Sequence, residues 1–183
     1  MPFFTLFFLT QLYLIVVVMM RPTRFLAFAL SAVLSLQAVI AFPQISSGRY
    51  KIESLIEGHP SAGVGFIRPA IKSVYLNGPD ATWNVDAEGD NKLRLSVGGY
   101  PFLDVSENIL FASVIPQDPV IWRVNYAEAQ NAYTIELSDE RKGWSVSSDL
   151  DHAEVHIKPI IVLPTEPLQY TSGQLWRFVR HEE

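Results

Sequence analysis

Asp151-His152-Ala153-Glu154-Val155-His156 is the run whose residue types could do chemistry most directly. With strand periodicity His152, Glu154 and His156 fall on one face, a spacing that could chelate a divalent metal. No further His or Cys lies nearby in sequence, and alternating polar side chains facing solvent account for the run equally well. Asp86, Glu88 and Asp90 surround Gly89, which is the composition of a turn and falls short of a full calcium loop. His59 and His181 stand alone as loop or tail residues. The chain has no Cys, no Gly-x-Ser-x-Gly, no phosphate-binding loop and no suggestive pair of acids. Neither an enzyme nor a bound cofactor or metal is expected.

The elements available to position any site are short strands. Residues 121–137 read as a strand, a polar turn and a second strand, with Trp122 and Val124 on one face and Tyr133, Ile135 and Leu137 on one face of the next. The pattern recurs. Trp83-Asn84-Val85 precedes Leu93-Arg94-Leu95, and Trp176-Arg177-Phe178 lies near the end with no strand after it. That last unit finds a partner only if the chain closes on Gly48-Arg49-Tyr50-Lys51-Ile52. Three Trp-x-apolar units, 39 and 54 residues apart, form a degenerate repeat. A closed three-fold β structure is the simplest object with that signature, since closure removes exposed edges.

Apolar alternation and turn residues predict about twelve strands, starting near Arg49, Ala62, Lys72, Thr82, Lys92, Pro101, Asn108, Val120, Ala132, Gly143, Ala153 and Leu175. Residues 159–167, with Pro159, Pro164 and Pro167, read as an extended, poorly pairing crossover. Twelve strands in three groups of four make an all-β, pseudo-three-fold β-trefoil: six strands close a barrel and six form capping hairpins. The three repeated Trp side chains are then core. A sugar-stacking platform is the functional alternative.

The ends differ in composition. Residues 1–42 are almost wholly apolar, with Arg21 and Arg24 as their only charges. Residues 20–41 read as a signal peptide, with Met20-Arg21-Pro22-Thr23-Arg24 as basic start and cleavage after Ala41, so a secreted protein is expected. Residues 1–19 are read as an upstream extension, the true start being Met19 or Met20; a transmembrane anchor is the alternative. Residues 43–183 form one domain in which 12 Lys and Arg face 19 acids, a net −7. That balance argues against nucleic acid, which needs a basic face. No membrane contact is expected for this part, and a closed barrel makes a monomer the default. No Asn begins an Asn-x-Ser/Thr acceptor.

Seven motifs follow one another along the domain: Ser47-Gly48-Arg49-Tyr50-Lys51-Ile52, Val64-Gly65, Trp83-Asn84-Val85, Trp122-x-Val124 with Tyr133-Thr134-Ile135, Gly143-Trp144, Ile157-Lys158-Pro159-Ile160-Ile161-Val162, and Leu175-Trp176. In this order and spacing they resemble the fungal β-trefoil serine-protease inhibitors of the cospin (mycospin) type. The resemblance spans Ser47 to about Arg180, and a signal peptide is a departure from it. It implies an inhibitor of trypsin-like serine proteases acting through the loop between the second and third strands of the first repeat. Here that loop is Phe66-Ile67-Arg68-Pro69-Ala70-Ile71-Lys72.

By position the resemblance makes Arg68 the specificity residue, flanked by Ile67 and Pro69, with Lys72 as the fallback. An Arg on a rigid loop can enter a pocket with a buried Asp at its base, and rigidity removes the ordering cost of a free peptide. Trypsin-like enzymes handle a Pro just after the cleavage position badly, so Pro69 either forbids turnover or alters docking. Arg68 and Lys72 as plain surface cations remain the alternative. Other readings are a β-trefoil lectin, against which stands the lack of a triplicated polar set, and inhibition of cysteine or legumain-type proteases through Gly63-Val64-Gly65 or Asn77.

Overall fold

The structure, a computed structural model, describes residues 43–67, 69–89, 91–147 and 152–181. The leader readings over residues 1–19 and 20–41 lie outside the described residues, as do Arg68, Asp90 and Asp151. The strands are β1 (Gly48–Ser54), β2 (Ala62–Gly63), β3 (Ile71–Ser73), β4 (Tyr75–Leu76), β5 (Trp83–Gly89), β6 (Lys92–Val97), β7 (Phe102–Ser106) and β8 (Ile109–Ser113). They continue with β9 (Ile121–Ala127), β10 (Ala132–Leu137), β11 (Lys142–Ser145), β12 (His156–Pro159), β13 (Val162–Leu163), β14 (Gln169–Tyr170) and β15 (Trp176–Arg180). Two single 3-10 turns, Glu128–Gln130 and Ser172–Gln174, are the helical elements among the described residues.

Six strands close a ring, with β1 against β5, β5 against β6, β6 against β9, β9 against β10, β10 against β15, and β15 back against β1. The last pairing sets Trp176 opposite Ser54, so the third Trp unit closes on the first strand. Three-fold register is strict. Trp83, Trp122 and Trp176 lie opposite Tyr50, Leu93 and Tyr133 on one side, and opposite Val97, Leu137 and Ser54 on the other. In each module the second set sits four residues after the first on its strand, so Ile52, Leu95 and Ile135 fall between them, all buried. Alternation on the pleat sends these side chains inward together.

The hairpins β2–β4, β7–β8 and β11–β12 cap the barrel. Their junction is a ring of three backbone hydrogen bonds: Val74 N–H to Leu110 O (2.9 Å), Leu110 N–H to Val155 O (2.9 Å) and Val155 N–H to Val74 O (2.8 Å). All three residues are fully buried, so the ring satisfies donors and acceptors that water could not reach. The architecture is the β-trefoil.

Trp144 breaks the symmetry. Two residues beyond the ring, Leu76, Ala112 and Ile157 pair with Ala62, Leu103 and Trp144, so one three-fold position holds a small, a medium and a very large side chain. The Trp144 ring meets Trp83, Trp122 and Trp176 at centroid distances of 5.2, 5.6 and 5.5 Å, the last two edge-to-face. The indole N–H groups follow the same frame. Trp83 Nε1 donates to Ala62 O (2.8 Å) and Trp176 Nε1 to Trp144 O (3.3 Å). The equivalent carbonyl, Leu103 O, instead accepts from Gln117 Nε2 (2.9 Å), and Trp122 Nε1 is buried without a partner. Leaving such a donor unpaired costs about 1–3 kcal/mol.

Two expectations are corrected. The stretch 159–167 holds one strand of a hairpin, with Val162 paired to Tyr170 and Leu163 to Gln169, because Pro164 and Pro167 fall in its turn and leave the paired positions free. The strand expected from Ala153 begins at His156, since Val155 turns its N–H into the central ring.

Candidate functional site

The segment between β2 and β3 leaves the barrel cap at Val64, whose N–H and C=O both pair with Asp80, at 2.9 and 3.0 Å. The tight turn after β6 presses on the same base. Gly98 there has φ +57°, and a Cβ on it would meet Val64 and the Asp80 carboxylate. Only Gly combines that backbone with that closeness.

Beyond Gly65 the loop turns outward. Phe66 and Ile67 are 76% and 81% exposed, the highest values among the large apolar side chains of the described residues. Their backbone is nevertheless held. Lys72 Nζ donates to Ile67 O at 2.9 Å, and the buried Tyr100 donates its hydroxyl to Pro69 O, also at 2.9 Å. Val114 N–H then bonds Ala70 O (3.0 Å), where β3 begins to pair with β8. The carbonyls before and after position 68 are thus each fastened by a scaffold side chain.

Of the residues singled out in the sequence, Ile67 and Pro69 flank the loop tip and Arg68 lies outside the described residues. Lys72 sits in β3 opposite Ala112, its ammonium turned back onto the loop. Asn77 occupies an exposed left-handed turn (φ +58°), and Gly63 is buried in β2. Tyr100 was not legible as a site residue. Its one signal is an aromatic hydroxyl directly after Gly98-Gly99, which becomes informative only once the turn is seen to lie beneath the loop.

The possible metal ligands do not converge. His152 lies in a turn (φ +68°) with its ring edge-to-face on Tyr75 at 5.5 Å, Glu154 forms an isolated backbone bridge with Tyr75, and His156 lies in β12 opposite Ser145 of β11. Among the described residues no three His, Asp or Glu side chains are arranged to hold a metal ion. A cavity of about 290 Å³ lies at the β5–β6 and β9–β10 ends of the barrel, lined by Pro43, Ile45, Lys92, Leu93 and Tyr133 among others, away from the loop.

The family model of Peptidase inhibitor I66 matches residues 70–180. No curated protein sequence matches the chain. Among solved structures, the proteinase inhibitor from Coprinopsis cinerea is similar with a TM-score of 0.65 at 23% identity, covering 75% of this chain and 100% of that one. The designed three-fold symmetric protein ThreeFoil is similar at 0.58 with 19% identity, covering 73% and 99%. The Macrolepiota procera ricin B-like lectin, solved with lactose, is similar at 0.54 with 19% identity, covering 76% and 100%. At these identities the structural likenesses speak for the shared trefoil alone.

Proposed function

The chain belongs to the Peptidase inhibitor I66 family, and on that premise we propose that it inhibits a serine endopeptidase of trypsin-like specificity through loop 64–70, with Arg68 as the specificity residue. The family is one of inhibitors rather than enzymes, so a protease is the partner. The observation that carries the loop assignment is the pair of bonds from Lys72 and Tyr100 to the carbonyls of Ile67 and Pro69.

An inhibitor of this kind presents a substrate-like backbone whose ordering has been settled by the fold, so little conformational entropy is lost on binding. The Arg68 guanidinium would pair with a carboxylate at the base of the specificity pocket, and its carbonyl would point at the oxyanion donors. If the protease serine attacks that carbonyl, the leaving segment cannot drift away. Pro69 stays bonded to Tyr100 and Ala70 to Val114. The amine therefore remains beside the acyl-enzyme and re-forms the bond faster than water displaces it. Pro69 itself makes that bond a poor substrate. In this reading Lys72 positions the loop rather than entering the pocket. Secretion after cleavage at Ala41 and a monomeric state belong to the same proposal.

The test is a titration of trypsin with the purified protein beside Arg68→Ala and Lys72→Ala. Inhibition abolished by Arg68→Ala and only weakened by Lys72→Ala supports the assignment. Inhibition abolished by Lys72→Ala alone transfers the specificity role to Lys72. No inhibition by the unmutated protein would overturn trypsin-like specificity, and cysteine and legumain-type proteases would be titrated next.

A further inference from the structure

We propose that residues 114–120, joining β8 to β9, are a second contact segment for the same protease, presenting Val114 and Ile115 as an apolar rim beside loop 64–70. This rests on the inhibitory reading above and adds to it the residues that would set complex lifetime.

Three observations converge. First, the two segments are continuous: Val114 N–H bonds Ala70 O at 3.0 Å, one step beyond the Ile71–Ser113 pair of β3 and β8. Second, exposed apolar side chains concentrate here. Ten large apolar residues are exposed among the described residues, and Phe66, Ile67, Ile71, Val114 and Ile115 are half of them. An exposed apolar patch continuous with a candidate binding loop marks an interaction surface. Third, the segment is fastened. Ser113 Oγ accepts from Ile115 N–H at 3.0 Å, and Gln117 Nε2 donates to Leu103 O at 2.9 Å. That carbonyl occupies the position that serves the Trp indole N–H in the other two modules, and Trp122 Nε1 is left buried and unpaired. Gln117 thus ties the segment to the core at a carbonyl whose equivalents in the other two modules serve an indole N–H.

The occupant is the protease already held at loop 64–70, through an apolar surface beside its cleft. Apolar groups that shed water on docking chiefly slow dissociation, while encounter depends on long-range charge. The decisive experiment measures association and dissociation of the protease with the unmutated protein, the Val114→Ser/Ile115→Ser double variant and, as a second variant, Ile115→Lys, each checked for an unchanged melting midpoint. The expected result is dissociation faster by roughly tenfold, with association changed by less than about threefold. Dissociation within about twofold of the unmutated protein, in a protein that does inhibit, would overturn the rim and leave the inhibitory loop standing. Self-association of the unmutated protein that the double variant abolishes would overturn it too, making the patch a contact between copies. Failure of the unmutated protein to bind any protease would remove the inhibitory reading and this inference together.

Discussion

Trp144 is held on three sides by other indoles and has no equivalent of its size in the other two modules, where Ala62 and Leu103 stand. Its removal would leave a void that three rigid rings cannot collapse to fill. Trp144→Ala is expected to cost about 3–5 kcal/mol, read from the urea midpoint, and to exceed the cost of Leu103→Ala. A second residue-scale expectation concerns Tyr133, whose phenol pKa is raised above the ordinary 10.0, first by burial and then by the neighbouring phenols of Tyr126 and Tyr50. Its hydroxyl also donates to Pro43 O at 2.8 Å, which requires the proton. Because the folded state holds this proton more tightly than the unfolded chain, the associated stability is intact below the unfolded pKa. It is lost as pH rises through the folded one. The melting midpoint should therefore fall as pH climbs above 10, and Tyr133→Phe should flatten that part of the decline.

At the scale of the element, loop 64–70 owes its form to neighbours more than to its own residues. Its two fastening groups come from β3 and from the turn after β6. Tyr100→Phe deletes the bond to Pro69 O while keeping the ring in the core. A neutral hydrogen bond contributes about 0.5–1.5 kcal/mol to stability, so the melting midpoint is expected to fall by a few degrees, and inhibition constants are expected to rise as the loop loses part of its preorganisation. Equal inhibition by Tyr100→Phe would mean the loop holds its shape without that bond. The same scale explains the hairpin of β13 and β14, where local proline content pointed to a poorly pairing crossover. Gln130 accepts from Tyr170 N–H and donates to Tyr170 O, both at 2.8 Å, fixing one strand of the hairpin from 40 residues away.

For the whole molecule, closure is the governing fact. β15 pairs with β1 over five residues and also with β10, so the last strand completes the ring that the first one opened. Deleting residues 176–183 would expose the edges of β1 and β10 and remove Trp176 from around Trp144. Such a protein should show no cooperative thermal transition by circular dichroism. A sharp transition near that of the full chain would mean that five strands can stand without the sixth.

The trefoil is legible in local pattern alone. Trp-x-apolar units and period-two alternation placed Trp83, Trp122 and Trp176 at equivalent positions, and the lack of a partner for the third unit already implied closure on β1. Those signals are local, because alternation on a pleat is written in consecutive residues. The family motifs point to a loop over residues 66–72, which the structure bounds at 64–70 because β3 already begins at Ile71, and nothing in their spacing reveals what holds it. The clasp of Lys72 and Tyr100, the central place of Trp144, and the exchange of partners among Gln117, Leu103 and Trp122 were decided only by tertiary structure. Each joins groups from different strands or modules, and which side chain reaches a given carbonyl depends on how the closed barrel sets those strands side by side.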